Sequence, residues 1–263
     1  MKIIDFHTHV YHDNIAPKAA DSIRTFYGLG NDSMNGTVAS LLEKGRAVGT
    51  TQYVILPVAM RPERTRNIND FILEKLRENK EFFGFGTVHA AMDGLTEEVD
   101  YICQNGLRGI KMHPDSQVFP IDDPRLFPVY EQIQEKLPVL FHMGDHRFDY
   151  SHPARLKHLL ELFPRLQVIA AHFGGYELYE EACTLLKDTD CFFDVSSSLM
   201  FMQPGEAERY IQLYGAQRFV YGSDYPMWNP VEEMERFMRL KLSDAQREQI
   251  FHKTAEYLLG ISD

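Results

Sequence analysis

The chain has 263 residues, 44% hydrophobic and 25% charged, the balance of a globular domain able to bury a substantial core. Its 27 basic against 38 acidic residues give a net charge of −11 with no long basic run, which argues against nucleic acid or an anionic membrane as partner, since phosphate binding needs clustered Lys and Arg. No apolar run approaches the ~20 residues of a membrane span, no signal-peptide pattern opens the chain, and Cys103, Cys183 and Cys191 form no CxxC pair, so a soluble cytoplasmic protein with idle thiols is expected.

The first apolar strand runs into Asp5-Phe6-His7-Thr8-His9. Side chains alternate along a strand, so His7 and His9 point to the same side, about 7 Å apart along the backbone. One metal ion can be held by both imidazoles at about 2.0–2.1 Å. Residues 10–35, with Pro17, Gly28 and Gly30, have little periodicity and read as a long loop with a short helix near 19–27. A loop of that length beginning at the histidine pair is expected to form a lid or substrate wall.

A helix is expected at 37–48 and a strand at 53–58, then a charged amphipathic helix at 65–78 and a strand at 82–88. The alternation continues with helix 95–104, strand 107–112, helix 123–136, strand 138–142, helix 152–162 and strand 167–172. Helix 176–187, strand 191–195, helix 205–214 and strand 218–223 follow, and helices 230–239 and 243–259 close the chain, the last between Ser243 as N-cap and Gly260. Strands alternating with helices imply a parallel sheet. Strands near residues 3, 54, 84, 109, 140, 169, 193 and 220 make eight such units, which predicts an α/β (β/α)8 TIM barrel, one domain over 1–263, rather than an open doubly wound sheet.

Active sites in such barrels lie at the C-terminal ends of the strands. Those ends here carry His7 and His9, Lys111 and His113, His142, His172 and Asp224. Each alone has an ordinary explanation: a core histidine, a surface lysine, an N-cap aspartate. Together they place metal-type or titratable residues at five of eight strand ends, and a lysine inside an apolar run is unusual in itself. The acidic pairs at 180–181 and 232–233 read as solvated helix faces.

The ordered set resembles the amidohydrolase superfamily, in its amidohydrolase-related branch of metal-dependent hydrolases and decarboxylases. The resemblance rests on the His-x-His opening, Gly-Ile-Lys-Met-His-Pro at 109–114, His142, Ala-His-Phe-Gly-Gly at 171–175 and Gly-Ser-Asp-Tyr-Pro at 222–226, and it spans essentially the whole chain. It implies one divalent metal, most often zinc, held by His7, His9, His142 and Asp224, with His172 facing the substrate. It also implies a second metal if Lys111 is carboxylated, and a mononuclear site if Lys111 or His113 binds substrate instead.

Three imidazoles and a carboxylate leave a coordination position for water, whose pKa zinc lowers from 15.7 to about 7. The expected chemistry is hydrolysis of a C–N or C–O bond (amide, cyclic amide, lactone or ester) in a small molecule, with Asp224 moving the proton and His172 polarising the carbonyl or acting as base. Arg147, whose fork suits a carboxylate, and Trp228 are expected to join Lys111 and His113 in binding substrate. The alternative is non-oxidative decarboxylation of an unsaturated or aromatic acid at the same metal. The oligomeric state is left open, a homo-oligomer included.

Overall fold

A computed structural model describes residues 2–28 and 34–261 of the chain. Its strands are β1 (Ile4–Thr8), β2 (Gln52–Ile55), β3 (Phe82–Gly84), β4 (Gly86–Thr87), β5 (Ile110–Met112), β6 (Val139–Phe141), β7 (Val168–Ala170), β8 (Phe192–Asp194) and β9 (Phe219–Val220). All pair in parallel, in the orders β1-β2-β3 and β4-β5-β6-β7-β8-β9. β3 and β4 are one stave interrupted at Phe85, whose N–H still donates to Ile55 at 3.1 Å while Gly86 N–H turns to Gly109 at 2.8 Å. The ring closes where Phe6 N–H donates to Tyr221 O at 2.8 Å and Asp224 N–H to His7 O at 2.8 Å. The expected TIM barrel is what the chain forms.

Strand periodicity explains the two layers of the core. Val54, Phe85, Leu140, Ile169 and Val220 fill the barrel with Ile4 and Phe6, over a floor of Ala255, Leu258 and Leu259. Their neighbours Tyr53, Ile55, Ile110, Val139 and Phe141 face the helices instead. Lys111 sits between Ile110 and Met112, which both face outward, so the period of two turns its stem inward. Gly222 has to be a glycine, because a Cβ there would meet His7 Cβ at 2.7 Å, where the last strand end packs on the first.

The main helices are α1 (Ala16–Tyr27), α2 (Val38–Ala47), α3 (Thr65–Glu78), α4 (Leu95–Gln104), α5 (Pro114–Gln117), α6 (Phe127–Ile133), α7 (Pro153–Leu162), α8 (Tyr179–Leu186), α9 (Glu206–Tyr214), α10 (Pro230–Met238), α11 (Asp244–Glu248) and α12 (Thr254–Leu259). Ser243 caps α11 as expected, in a capping box with Gln246. The single C-terminal helix expected at 243–259 carries a π-helical turn at Gln249–Lys253. The stretch expected to be mostly loop holds the three-turn α1, with Pro17 in its first turn and Gly28 in the left-handed conformation at its end. Residues 29–33 of that expected loop lie outside the described residues. Glu233, expected to be solvated, is 2% exposed and paired with Arg236. Among the described residues, no helix is long and apolar enough to cross a membrane. The three cysteines are free, Cys103 exposed and the other two buried.

Candidate metal centre

The strand ends deliver the candidate residues to one place. His7 lies in β1 and His9 just beyond it, Lys111 in β5, His142 after β6, His172 after β7, and Asp224 beyond β9. The imidazoles of His7 and His9 converge with Nε2 atoms 3.2 Å apart, and Asp224 Oδ1 stands 3.4 Å from the first and 3.5 Å from the second. His172 and Asp224 hold positive φ of 58° and 56°, a backbone region uncommon for such residues and enriched at functional sites.

Hydrogen bonds fix which nitrogen of each ring is free. His7 Nδ1 lies 2.7 Å from Asp194 Oδ2, and His9 Nδ1 lies 2.6 Å from the Leu56 carbonyl oxygen. Both partners only accept, so each Nδ1 carries the proton and each Nε2 presents a lone pair. Two lone pairs and a carboxylate oxygen then face one another with no proton between them, an arrangement that a cation stabilises. These three donors lie within 4.8 Å of one another and suit a divalent metal by type.

The electrostatics agree with that reading. Burial, helped by the Lys111 charge, lowers His7 to about 4, so its ring is neutral at physiological pH. Burial raises the Asp224 carboxyl, yet positive charge at the His7 and His9 face outweighs it and holds the group well below the usual carboxylate range, a charge that neutral rings leave to a bound cation to supply. Asp194 behaves likewise, with His7 and Ser196 overcoming its burial. Lys111, fully enclosed, is drawn down to about 8 by burial against the opposing pull of Asp224 and Asp194, and its Nζ is 3.4 Å from His7 Nε2.

His142 does not join the tight cluster. Its Nδ1 is 3.0 Å from His172 Nε2, and its ring stacks on His113 with centroids 3.9 Å apart and planes 10° apart. A compact donor set of His113, Asp115 and His142 results. Parallel stacked rings cannot both aim their nitrogens in-plane at one ion, so this set is a packed wall and not a second centre. Burial lowers both imidazoles well below the ordinary histidine value. Tyr27 from α1 closes over them, its hydroxyl 2.8 Å from His113 Nε2 and 3.4 Å from His142 Nε2.

Arg147 does not face the cleft. Its Nε and Nη2 pair with the two oxygens of Asp145 at 2.8 and 2.5 Å, and Nη1 donates to the Phe26 carbonyl. The guanidinium also lies 4.8 Å from the Phe26 ring centroid. The expected substrate ligand is instead a clasp on the end of α1, because Asp145 satisfies the fork locally. Trp228 does reach the centre, donating Nε1–H to Ser197 Oγ at 2.8 Å, while the Ser197 hydroxyl donates to Asp224 Oδ2.

Three contributors escaped sequence reasoning. Asp194 is an acid inside a buried apolar strand, the same signal that singled out Lys111. Ser197 and Tyr27 carried no signal, since a serine in a Ser-Ser-Ser run and a tyrosine in an aperiodic segment are unremarkable.

Two cavities meet at the centre. One, of about 20 Å³, is bounded by Tyr27, His142, His172, Ser197, Asp224 and Trp228, enough for one water. The other is a cleft of about 680 Å³ that reaches His7, His9, Lys111, His113, His172 and Asp224 under the roof of α1.

The description of the amidohydrolase family matches residues 4–261. The chain belongs to the amidohydrolase family. No curated protein matches it. Among solved structures, an uncharacterised TIM-barrel protein of Bordetella bronchiseptica aligns over 99% of both chains at 22% identity with a TM-score of 0.83. The 5-carboxyvanillate decarboxylase of Novosphingobium aromaticivorans, solved with bound manganese, aligns at 14% identity over 99% of this chain and 97% of its own, with a TM-score of 0.79. A structure described as a 2-pyrone-4,6-dicarboxylic acid hydrolase of Pseudomonas putida aligns at 20% identity over 98% and 97%, with a TM-score of 0.68. These likenesses show the barrel, and the amidohydrolase family therefore appears here on a fold shared by hydrolases and decarboxylases.

Proposed function

We propose that this amidohydrolase is a metal-dependent hydrolase of a C–N or C–O bond in a small molecule. One divalent ion, zinc in the first instance, would be held by His7, His9 and Asp224, and His142 would join them as fourth ligand only by turning its Nδ1 from His172 Nε2, 3.0 Å away. When bound, the metal lowers the pKa of a water and polarises a carbonyl. Asp224 is positioned to take a proton on the carboxylate, with Ser197 and Trp228 fixing its orientation. His172 Nδ1 lies 3.1 Å from the Ser196 carbonyl oxygen, and its Nε2, 3.0 Å from His142 Nδ1, accepts or returns a proton at the reacting group once His142 turns from it. Lys111 and His113 line the substrate side.

The observation that supports this reading is the water-sized chamber beside His172 and Asp224, which shares those two walls with the cleft. A hydrolase needs a place for its water; a decarboxylase must hold its substrate's carboxylate, for which Arg147, engaged with Asp145, is not free and Lys111 is the cation at the centre. Manganese in a structurally similar decarboxylase keeps decarboxylation as the competing reading. Metal-loaded protein incubated with ester, lactone, amide and aromatic-acid panels in ¹⁸O-water separates the two. Hydrolysis gives a product carboxylate carrying one ¹⁸O. Loss of carbon dioxide from an aromatic acid, with no hydrolysis across the acyl panels, would contradict the proposal. Metal analysis of the same protein counts one ion per chain, or two if Lys111 is carboxylated.

A further inference from the structure

The large cleft is bigger and more apolar than the chemistry at its floor requires. Its volume of about 680 Å³ is in the range that encloses a drug-sized ligand, where a single small ring would leave most of the space unfilled. One wall is α1, through Ala19, Ile23 and Phe26, with Ile15 just before it; another is α3, through Ile68, Phe71 and Ile72. Leu56, Pro57, Val58 and Met60 after β2 complete it. Burial grades along the cleft: Ile72 is 2% exposed and Phe71 9%, whereas Ile15 is 48% and Met60 57% exposed. The mouth therefore presents large apolar side chains to solvent, which a globular protein seldom groups without use.

Charge along the cleft is equally uneven. Apart from the metal-site residues and Lys111, its cationic side chain is Arg64. Arg64 precedes α3, is exposed, and pairs with no carboxylate among the described residues. In a chain with a net charge of −11, an unpaired guanidinium at the rim of an apolar cleft is suited to an anion carried in by the ligand.

We propose that the substrate is an elongated amphipathic acid derivative. Its reacting carbonyl group lies at the histidine–carboxylate centre, an apolar alkyl or arylalkyl body fills the cleft beneath α1, and a terminal anionic group meets Arg64. The inference rests on the hydrolase reading for the identity of the reacting group, and on the cleft alone for the rest.

Binding of product-like acids tests it without turnover. Butyrate, octanoate, dodecanoate and dodecanedioate are titrated calorimetrically into metal-loaded wild type, Ala19→Trp and Arg64→Gln. Affinity should rise about fourfold per methylene in wild type while the cleft fills. Ala19→Trp, which places a ring in the cleft from the half-buried face of α1, should flatten the series while metal content and Tm stay at wild-type values. Arg64→Gln should weaken dodecanedioate about fivefold and leave dodecanoate within twofold. Equal affinity from butyrate to dodecanoate in wild type, or a slope that survives Ala19→Trp, would overturn the apolar body; equal weakening of mono- and diacid by Arg64→Gln would overturn the terminal anion. Tight, chain-length-dependent binding with no hydrolysis of any acyl panel would remove the hydrolase reading and leave this inference standing. Hydrolysis of butyryl substrates with a flat binding series would do the reverse.

Discussion

Replacing Asp194 by asparagine should cripple the metal centre while leaving every proposed ligand in place. Asp194 Oδ1 accepts from His172 N–H at 3.0 Å, Ser196 N–H at 3.0 Å and the Ser196 hydroxyl at 2.6 Å. Its other oxygen takes the His7 Nδ1 proton at 2.7 Å. An amide has one oxygen to offer, and three donors outweigh one, so the amide of Asp194→Asn keeps its oxygen on the first set and turns its NH₂ toward His7. His7 Nδ1 must then accept, and the ring proton moves to Nε2, the atom that faces His9 at 3.2 Å. A metal can bind only by displacing that proton. Partners of ligating histidines change metal affinity by about 10–100-fold, and inverting the tautomer places this substitution at the upper end, about 2.7 kcal/mol for 100-fold. Competition against a chromophoric chelator at neutral pH measures the dissociation constant, with circular dichroism confirming an unchanged fold. Affinity within twofold of wild type in a folded Asp194→Asn protein would refute the tautomer argument.

Two further outcomes follow from single contacts. Arg147→Ala removes the clasp on α1, whose donors reach Asp145 and the Phe26 carbonyl; losing a charged hydrogen bond of ~1.5 kcal/mol should speed amide exchange across α1 about tenfold without changing metal content, and unchanged exchange would show that Tyr27 alone holds the helix. Burial pushes the Glu233 carboxyl up from 4.5 to about 8 despite the Arg236 partner. An acid whose folded pKa is raised holds its proton more tightly when folded, so its contribution is present below the unfolded value and is lost as pH rises through about 8. Glu233→Gln, which does not titrate, should therefore gain Tm relative to wild type as pH rises from about 5 to 8, and a pH-independent difference would show that the Arg236 pair keeps Glu233 ionised.

The barrel was legible because strand and helix periods are written in the apolar residues, and the site because a barrel concentrates its chemistry at the strand ends. His7, His9, Lys111, His172 and Asp224 were readable on that ground alone. His142 is at its expected strand end, yet stacking on His113 and contact with His172 turn it from the tight cluster, a packing outcome with no sequence signature. Arg147 failed for a similar reason: a fork two residues from an aspartate is satisfied locally. Within segment 10–35 the short helix expected near 19–27 was legible from Ala19, Ala20, Ile23, Phe26 and Tyr27, whereas its first turn, with Ala16, Pro17 and Lys18, carries little apolar signal and read as loop. The C-terminal helix was read as continuous because a π turn changes hydrogen bonding without a marker such as proline.

The central claim is that His7, His9 and Asp224 hold a divalent ion, and metal content per chain tests it most directly. Elemental analysis of wild type beside His9→Ala, each purified without chelator and shown to be folded, should give about one ion per chain in the first and almost none in the second. A folded wild type without bound metal after incubation with zinc or manganese, or a His9→Ala protein that keeps its full complement, would contradict the account.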